Sequence, residues 1–504
     1  MQSTIPSPSV SAKHPRGLYV LFFTEMWERF SYYGMRAILI LFLLDKVRGG
    51  MGLSEAESGA IYGLYVSSVY LLSLPGGWLA DNVLGQRKAI WYGGIVIMLG
   101  HIILAIPSGP GVFYTGLAFV AVGTGLLKPN ISSIVSELYP EGGARRDAAF
   151  SIFYMGINTG SFLGQLVVSY LGEKVNWHAG FGAAAVAMFL GLVAYRALGP
   201  KYLQDKGMYP KAQEKQPSGE AAKSNSTLTI VLTLATVAFI AFLSFTGRID
   251  LSTATGIAQA MGIIIPAITV IYFINILVAG GLNTVEKKRV VVLMVFFLGA
   301  ALFWSGFEQA GSSLNIFADR YTDRDYWGWT MPAGWFQNYN PAYILIFAAP
   351  LASLWIYLAK RNLNPATPVK FGIGILLMGL GFLVMVFGAN AVIQSLPQTT
   401  RVSGSFLIFT YLFHTLGELC LSPVGLSVFT KLAPRQYLSQ LMGIWFVATS
   451  FGNLIAGLFA GNFDENNVEQ MPDLFMSVVW FSLVTGSLFI IFSKPIKKWM
   501  GGIE

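Results

Sequence analysis

Cysteine occurs once, at Cys420, and histidine only four times in 504 residues. A single thiol excludes an intramolecular disulfide and leaves no cysteine-based metal site, so no metal centre is expected. The histidines form no H-E-x-x-H pair and no G-x-S-x-G elbow is present, which removes the usual signatures of an intramembrane hydrolase. Charge is also scarce, at 12% of residues against about 25% in soluble proteins. The first sixteen residues, MQSTIPSPSVSAKHPR, lack a short apolar core with a small-residue cleavage site, so no removable signal peptide is expected.

What fills the chain is apolar. Hydrophobic residues make up 54% and mean hydropathy is +0.59. Runs of about 20 apolar residues recur from end to end, the length that crosses a bilayer as a helix. Fourteen spans are read, near 17–44, 54–80, 89–106, 111–136, 147–171, 178–198, 228–246, 252–281, 289–312, 341–359, 371–389, 402–430, 438–462 and 473–494. The net charge of +8 is assigned to basic loops at one membrane face, with no nucleic-acid partner expected. With the N-terminus inside, 22 of the 33 basic residues fall on the inner side and seven outside, so both termini are expected to be cytoplasmic. A polar, lysine-rich stretch from Gly199 to Ser226 reads as a solvated linker, and the two uncharged spans after it read as an insertion. The expected organisation is an all-α membrane protein with a six-helix bundle over 1–198, linker and inserted pair over 199–288, and a second six-helix bundle over 289–504. Transporters built from such duplications hold substrate between the halves near the midplane.

Seven ionisable residues lie within spans: Glu25, Glu28, Arg29, Arg36, Lys128, Glu308 and Glu418. Each costs roughly 2.5–3.5 kcal/mol at the bilayer centre, so they are expected to face protein or water. Glu25, Glu28, Arg29, Tyr32 and Arg36 share one stripe of the first helix, and Tyr32 and Tyr33 add hydroxyls and ring faces suited to a zwitterionic organic solute. Arg36 and Glu308 each lie 19 residues into their spans, about 28 Å at 1.5 Å per residue. Lys128 and Glu418 lie 17 and 16 residues into theirs, so each half offers a charge at matching depth to its opposite in the other half. Four carboxylates against three cations leave one carboxylate in excess. A proton is the expected counter-ion, with sodium as the alternative.

The motifs FTEMWERFSYYGMR, GTGLLKPN, FSIFYMGINTGSFLG, FWSGFEQAG, WFQNYNP, LGELCLSPVGLS and LMGIWFVATSFGN resemble signatures of the proton-dependent oligopeptide transporter family, bacterial type, and DNVLGQRK resembles a cytoplasmic loop of the wider major facilitator superfamily. The resemblance implies the major facilitator fold and symport of di- and tripeptides with protons by alternating access across the bacterial inner membrane. A monomer and no cofactor beyond the proton are expected. It implies proton coupling through Glu25, Glu28, Arg29 and Lys128, and a peptide pocket formed by Tyr32, Arg36, Tyr70, Lys128, Asn158, Asn340, Glu418, Trp445 and Thr449. Arg36 and Glu308 are the implied gate.

Animal members carry a functional histidine in the second helix where this chain has Gly63. His101 and His414 are the histidines clearly inside spans, each expected to be hydrogen-bonded within its helix, with His414 four residues before Glu418 and able to modulate it. Plant relatives carry nitrate or other cargo, which keeps an anion as the rival substrate.

Overall fold

The computed structural model describes residues 13–140, 143–210, 226–396, 401–464 and 467–502. The first twelve residues and the part of the expected linker holding Lys211, Lys215 and Lys223 lie outside the described residues. Each of the fourteen apolar segments is occupied by helix. In chain order these are α1 (Arg16–Leu44), α2 (Glu55–Leu71), α3 (Ser73–Leu79), α4 (Gln86–Leu104), α5 (Pro110–Glu137), α6 (Gly143–Tyr170) and α7 (Trp177–Tyr202). Then come α8 (Ser226–Phe245), α9 (Ala254–Ala279), α10 (Thr284–Phe307), α11 (Ser313–Arg320), α12 (Tyr339–Lys360), α13 (Thr367–Ser395), α14 (Ser405–Leu432), α15 (Leu438–Ala460), α16 (Met471–Ile491) and α17 (Ser493–Trp499). Among the described residues, ten helical stretches are long and apolar enough to cross a membrane. With 29 residues, α1 is about 44 Å long at 1.5 Å per residue, ample for a crossing despite its charges.

Local sequence fixes the starts of several helices. Ser54 and Glu57 form a capping box at α2, Asn283 and Glu286 form another at α10, and Asn176 caps α7 through the amide of Ala179. These satisfy amides that a helix end leaves open. We call the end of the bundle where α1 begins the near end, and that where it finishes the far end.

Two groups of helices form around separate seams. In the first, α1 packs on α6 and α7, and α4 on α5 and α7; in the second, α13 packs on α14 and α16, and α10 on α15. The α1–α6 seam depends on small residues: a Cβ at Gly160 would lie 2.1 Å from the Met26 carbonyl oxygen, and one at Gly164 would lie 2.2 Å from that of Phe30. Backbones approach closely where side chains are absent, and this holds the charged middle of α1 against α6.

Two boundaries differ from the sequence expectation. The span expected over 289–312 ends as regular helix at Phe307, tightens into a 3-10 turn over Glu308–Gly311, and resumes as α11 to Arg320 with Leu314, Ile316 and Phe317 buried. The span expected over 54–80 divides at Leu72 into α2 and α3. Between α11 and α12 the chain also makes a hairpin, β1 (Asp325–Tyr326) against β2 (Trp329–Thr330). Its two-residue turn, Trp327 and Gly328, has φ of 52° and 80°, the positive values that a type I′ turn requires.

Candidate functional site

Every member of the α1 stripe, Glu25, Glu28, Arg29, Tyr32 and Arg36, is buried. Arg29 Nε lies 2.7 Å from Glu25 Oε1 and 2.8 Å from Glu28 Oε2, so one guanidinium serves two carboxylates. Glu25 Oε2 and Glu28 Oε1 are buried with no hydrogen-bond partner among the described residues, and Glu28 Oε2 has its ion-pair contact with Arg29 but no well-aligned hydrogen bond. Buried carboxylate oxygens are ordinarily satisfied, so these oxygens are an exception.

Lys128, on α5, makes no ion pair among the described residues. Its Nζ sits 3.6 Å from the centroid of the Tyr70 ring on α2, a cation–π contact. Close packing aims it there: a Cβ at Gly76 would meet the Gly125 carbonyl oxygen at 2.1 Å, which brings α3 against the turn of α5 that precedes the lysine.

Glu418, on α14, has Oε2 3.1 Å from Asn340 Nδ2, and the same amide nitrogen donates to Thr415 Oγ1 at 3.0 Å. Neither partner carries charge, so this carboxyl group has no ion pair among the described residues. Asn158 donates to the Tyr154 carbonyl and Thr449 to the Trp445 carbonyl, both within their own helices. The Trp445 ring packs edge-on against Phe429. The Tyr32 hydroxyl is buried without a hydrogen-bond partner among the described residues, while Arg36 lies over the Tyr33 ring at 5.1 Å.

Arg36 Nη1 lies 2.5 Å from Glu308 Oε2, joining the two helix groups. Further contacts between the groups surround this pair or lie beyond it towards the far end. Asn315 Nδ2 donates to the Ala37 carbonyl at 2.7 Å, Ser67 and Ser450 hydroxyls meet at 2.7 Å, and Arg320 reaches Glu55 at 2.9 Å. Glu173, in a π-helical turn after α6, accepts the amides of Ala333 at 2.7 Å and Gly334 at 2.9 Å. Arg324 stands 3.5 Å from the same carboxylate and is itself held by Asp319 at 2.7 Å and the Met331 carbonyl at 2.7 Å. Burial pushes the Glu173 carboxyl up to about 7, against the opposing pull of the two amides and Arg324.

Sequence reasoning missed Glu173, Arg324, Glu55, Arg320 and Asn315. Their only signal was the charge or amide itself, beside or beyond the span ends where solvated groups are the rule.

Gly63 has a structural reason. A Cβ there would sit 3.0 Å from the Leu454 carbonyl oxygen and 3.1 Å from Gly457 Cα, so α15 leaves no room for a histidine. His101 corrects the expectation of a hydrogen-bonded helix histidine, since both its ring nitrogens are buried with no hydrogen-bond partner among the described residues. His414 departs from the expectation as well, with no hydrogen bond from its ring nitrogens to its own helix among the described residues, and its ring packs against Phe382 and Phe307.

A multi-span helical membrane protein with buried ion pairs at the centre, two helix groups bound together at one end and a lone carboxylate between helices is a transporter of the major facilitator type. A family profile described as "POT family" matches residues 87–481. The chain is 39% identical to "Peptide transporter YePEPT" of Yersinia enterocolitica over 97% of this chain and 96% of that one. It is 35% identical to "Di-/tripeptide transporter" of Lactococcus lactis over 97% of each chain. The crystal structure of "peptide transporter POT in complex with sulfate" superposes with a TM-score of 0.85 at 39% identity, covering 97% of both chains. This chain belongs to the POT family, the proton-dependent oligopeptide transporters.

Proposed function

We propose that the protein imports di- and tripeptides together with protons across a bacterial inner membrane. Its fourteen helical segments form two six-helix halves, 1–198 and 289–504, with an inserted pair after the linker. The near end is cytoplasmic, in keeping with the basic residues gathered there, and the conformation described is therefore closed to the outside. The protein works as a monomer with no cofactor but the coupling proton.

The observation that carries the reading is the sharing of Arg29 by Glu25 and Glu28. Two carboxylates on one guanidinium leave a negative charge in a buried place, where an uncompensated charge is costly. A proton taken from outside removes that cost, and its release inside restores it. Lys128, held over Tyr70 and not committed to an ion pair, is the cation free to answer that change.

Substrate is held between the halves. The Glu418 carboxylate, positioned by Asn340, takes the peptide ammonium, and Arg36 and Lys128 with Tyr32 and Tyr70 receive the carboxylate end. Asn158, Trp445 and Thr449 wall the pocket. A charge-assisted hydrogen bond is the strongest contact a peptide terminus can find there.

Uptake of labelled dialanine into proteoliposomes tests the proposal. An imposed inward proton gradient should drive accumulation, an equal sodium gradient should not, and N-acetyl-dialanine should compete at least about tenfold more weakly. Accumulation driven by sodium alone, or equal competition by the acetylated peptide, overturns the corresponding assignment.

A further inference from the structure

The outer side of α4 and α7 carries a feature separate from the residues of the candidate site. Two cavities of about 520 and about 390 Å³ adjoin there, sharing Trp91 and Arg196 in their linings. Apart from Arg196 the larger is lined by apolar side chains, among them Ile95, Met98, Phe189, Val193 and Ala197. The smaller lies at the near end and contains Arg87, Lys88 and Arg196. No acidic side chain lines either one.

Depth fits half a bilayer. From the start of α4 at Gln86, the groove reaches Met98 after twelve residues, about 18 Å at 1.5 Å per residue, close to one leaflet of a hydrocarbon core about 30 Å thick. Phe189 and Val193 are 53% and 48% exposed, so the trough opens sideways from the bundle. Its polar end is cationic and its buried length is apolar. The matching molecule is amphipathic, with an anionic head level with the helix ends and an acyl chain beneath.

We infer that the α4–α7 groove binds an anionic glycerophospholipid, its phosphate among Arg87, Lys88 and Arg196 and one acyl chain along Ile95, Met98 and Phe189. Cations near a bilayer surface attract anionic headgroups, and long basic side chains reach the interface while their stems cover apolar surface. Arg87 also anchors the segment that follows α7, its amide donating to the Gly207 carbonyl at 2.8 Å and its Nη1 to that of Gln204 at 2.5 Å. A lipid seated beside it bridges the start of α4 to the end of α7. The site rests neither on the transport reading nor on the sidedness of the chain, because binding in micelles involves no peptide and no gradient.

Native mass spectrometry of the delipidated full chain, titrated with phosphatidylglycerol or phosphatidylcholine of identical acyl chains, tests the inference. The expected result is phosphatidylglycerol bound at least about fivefold more tightly, the gain that one near-surface cation gives. Lys88→Gln with Arg196→Gln, which leaves Arg87 as the one cation of the three, should sharply reduce that preference, whereas Lys88→Arg with Arg196→Lys should keep it. Thermal unfolding of each variant in detergent separates loss of the site from loss of the fold. Ala197→Trp, which fills the groove, should weaken both lipids. Equal binding of the two lipids by the wild type, an undiminished preference in the folded double glutamine variant, or displacement of the lipid by free glycerol phosphate at matching concentration overturns it.

Discussion

Gly457 of α15 lies so close to Gly63 of α2 that a Cβ on Gly457 would come within 2.4 Å of Gly63 Cα. The same atom would meet the Gly59 carbonyl oxygen at 2.5 Å. These are backbone atoms, which cannot swing aside. Two helices from different groups therefore touch without intervening side chains, and the Ser67–Ser450 hydrogen bond extends the seam towards mid-depth.

Gly457→Ala should disfavour closure of the far end while leaving each helix group folded. Overpacking of this kind costs about 1–3 kcal/mol, enough to shift a two-state population by roughly tenfold. Spin labels across the far-end mouth should report longer distances in the variant than in wild type. Gly262→Ala, where a Cβ meets nothing within 4 Å, is the control. Unchanged distances and uptake in Gly457→Ala would show that the seam has no part in the transition.

Glu173 supplies a pH dependence whose sign is fixed by its surroundings. Closed, with Arg324, Asp319 and the Ala333 and Gly334 amides around it, its carboxyl sits at about 7; opened to water it returns towards its ordinary 4.5. Between those values the closed form binds more protons, so acidification through that window favours closure, with no further change below about 4.5 or above about 7. Far-end distances should accordingly shorten as pH falls from about 8 to about 5. Glu173→Gln, which removes the titrating group and keeps one of the two oxygens that accept from the Ala333 and Gly334 amides, should remove most of that dependence. A pH profile identical to wild type would assign the titration elsewhere.

Lys128→Ala should lose uptake driven by a proton gradient but retain exchange of labelled for unlabelled peptide. Its ammonium rests on an aromatic face and not on a carboxylate, so its removal leaves the Arg29 cluster intact while deleting the cation proposed to answer it. Loss of both activities would instead make the lysine a peptide ligand first. Wild-type accumulation would take it out of the coupling altogether.

The parts of the site legible in the sequence were those where the bilayer makes a charge expensive. Glu25, Glu28 and Arg29 stand out because they interrupt a long apolar run, and equal depth in two spans singled out Arg36 and Glu308. Glu173 and Arg324 were illegible because they lie beside spans, where solvated charge is the default; only the fold buries them. Gly63 read as a missing histidine until α15 was seen against it. The break at Glu308–Gly311 was hidden because apolar residues continue on both sides of it.

Arg36 and Glu308 belong to α1 and to the turn ending α10, and their 2.5 Å contact crosses between the helix groups. We expect them to part when the far end opens, since a rocking motion of two halves about a central site separates groups on the facing helices beyond it. Both are buried, so removing one partner leaves an unpaired charge, a cost of about 3–5 kcal/mol that falls on the closed state. Arg36→Ala and Glu308→Gln should each populate the far-end-open form and slow net uptake. The reciprocal exchange, Arg36→Glu with Glu308→Arg, should restore part of the closure. A double-mutant cycle on uptake, combined with spin-label distances across the far end, separates a gate from a ligand. Coupled losses with lengthened distances identify the gate; additive losses with unchanged distances would leave Arg36 as a contact for the peptide carboxylate alone.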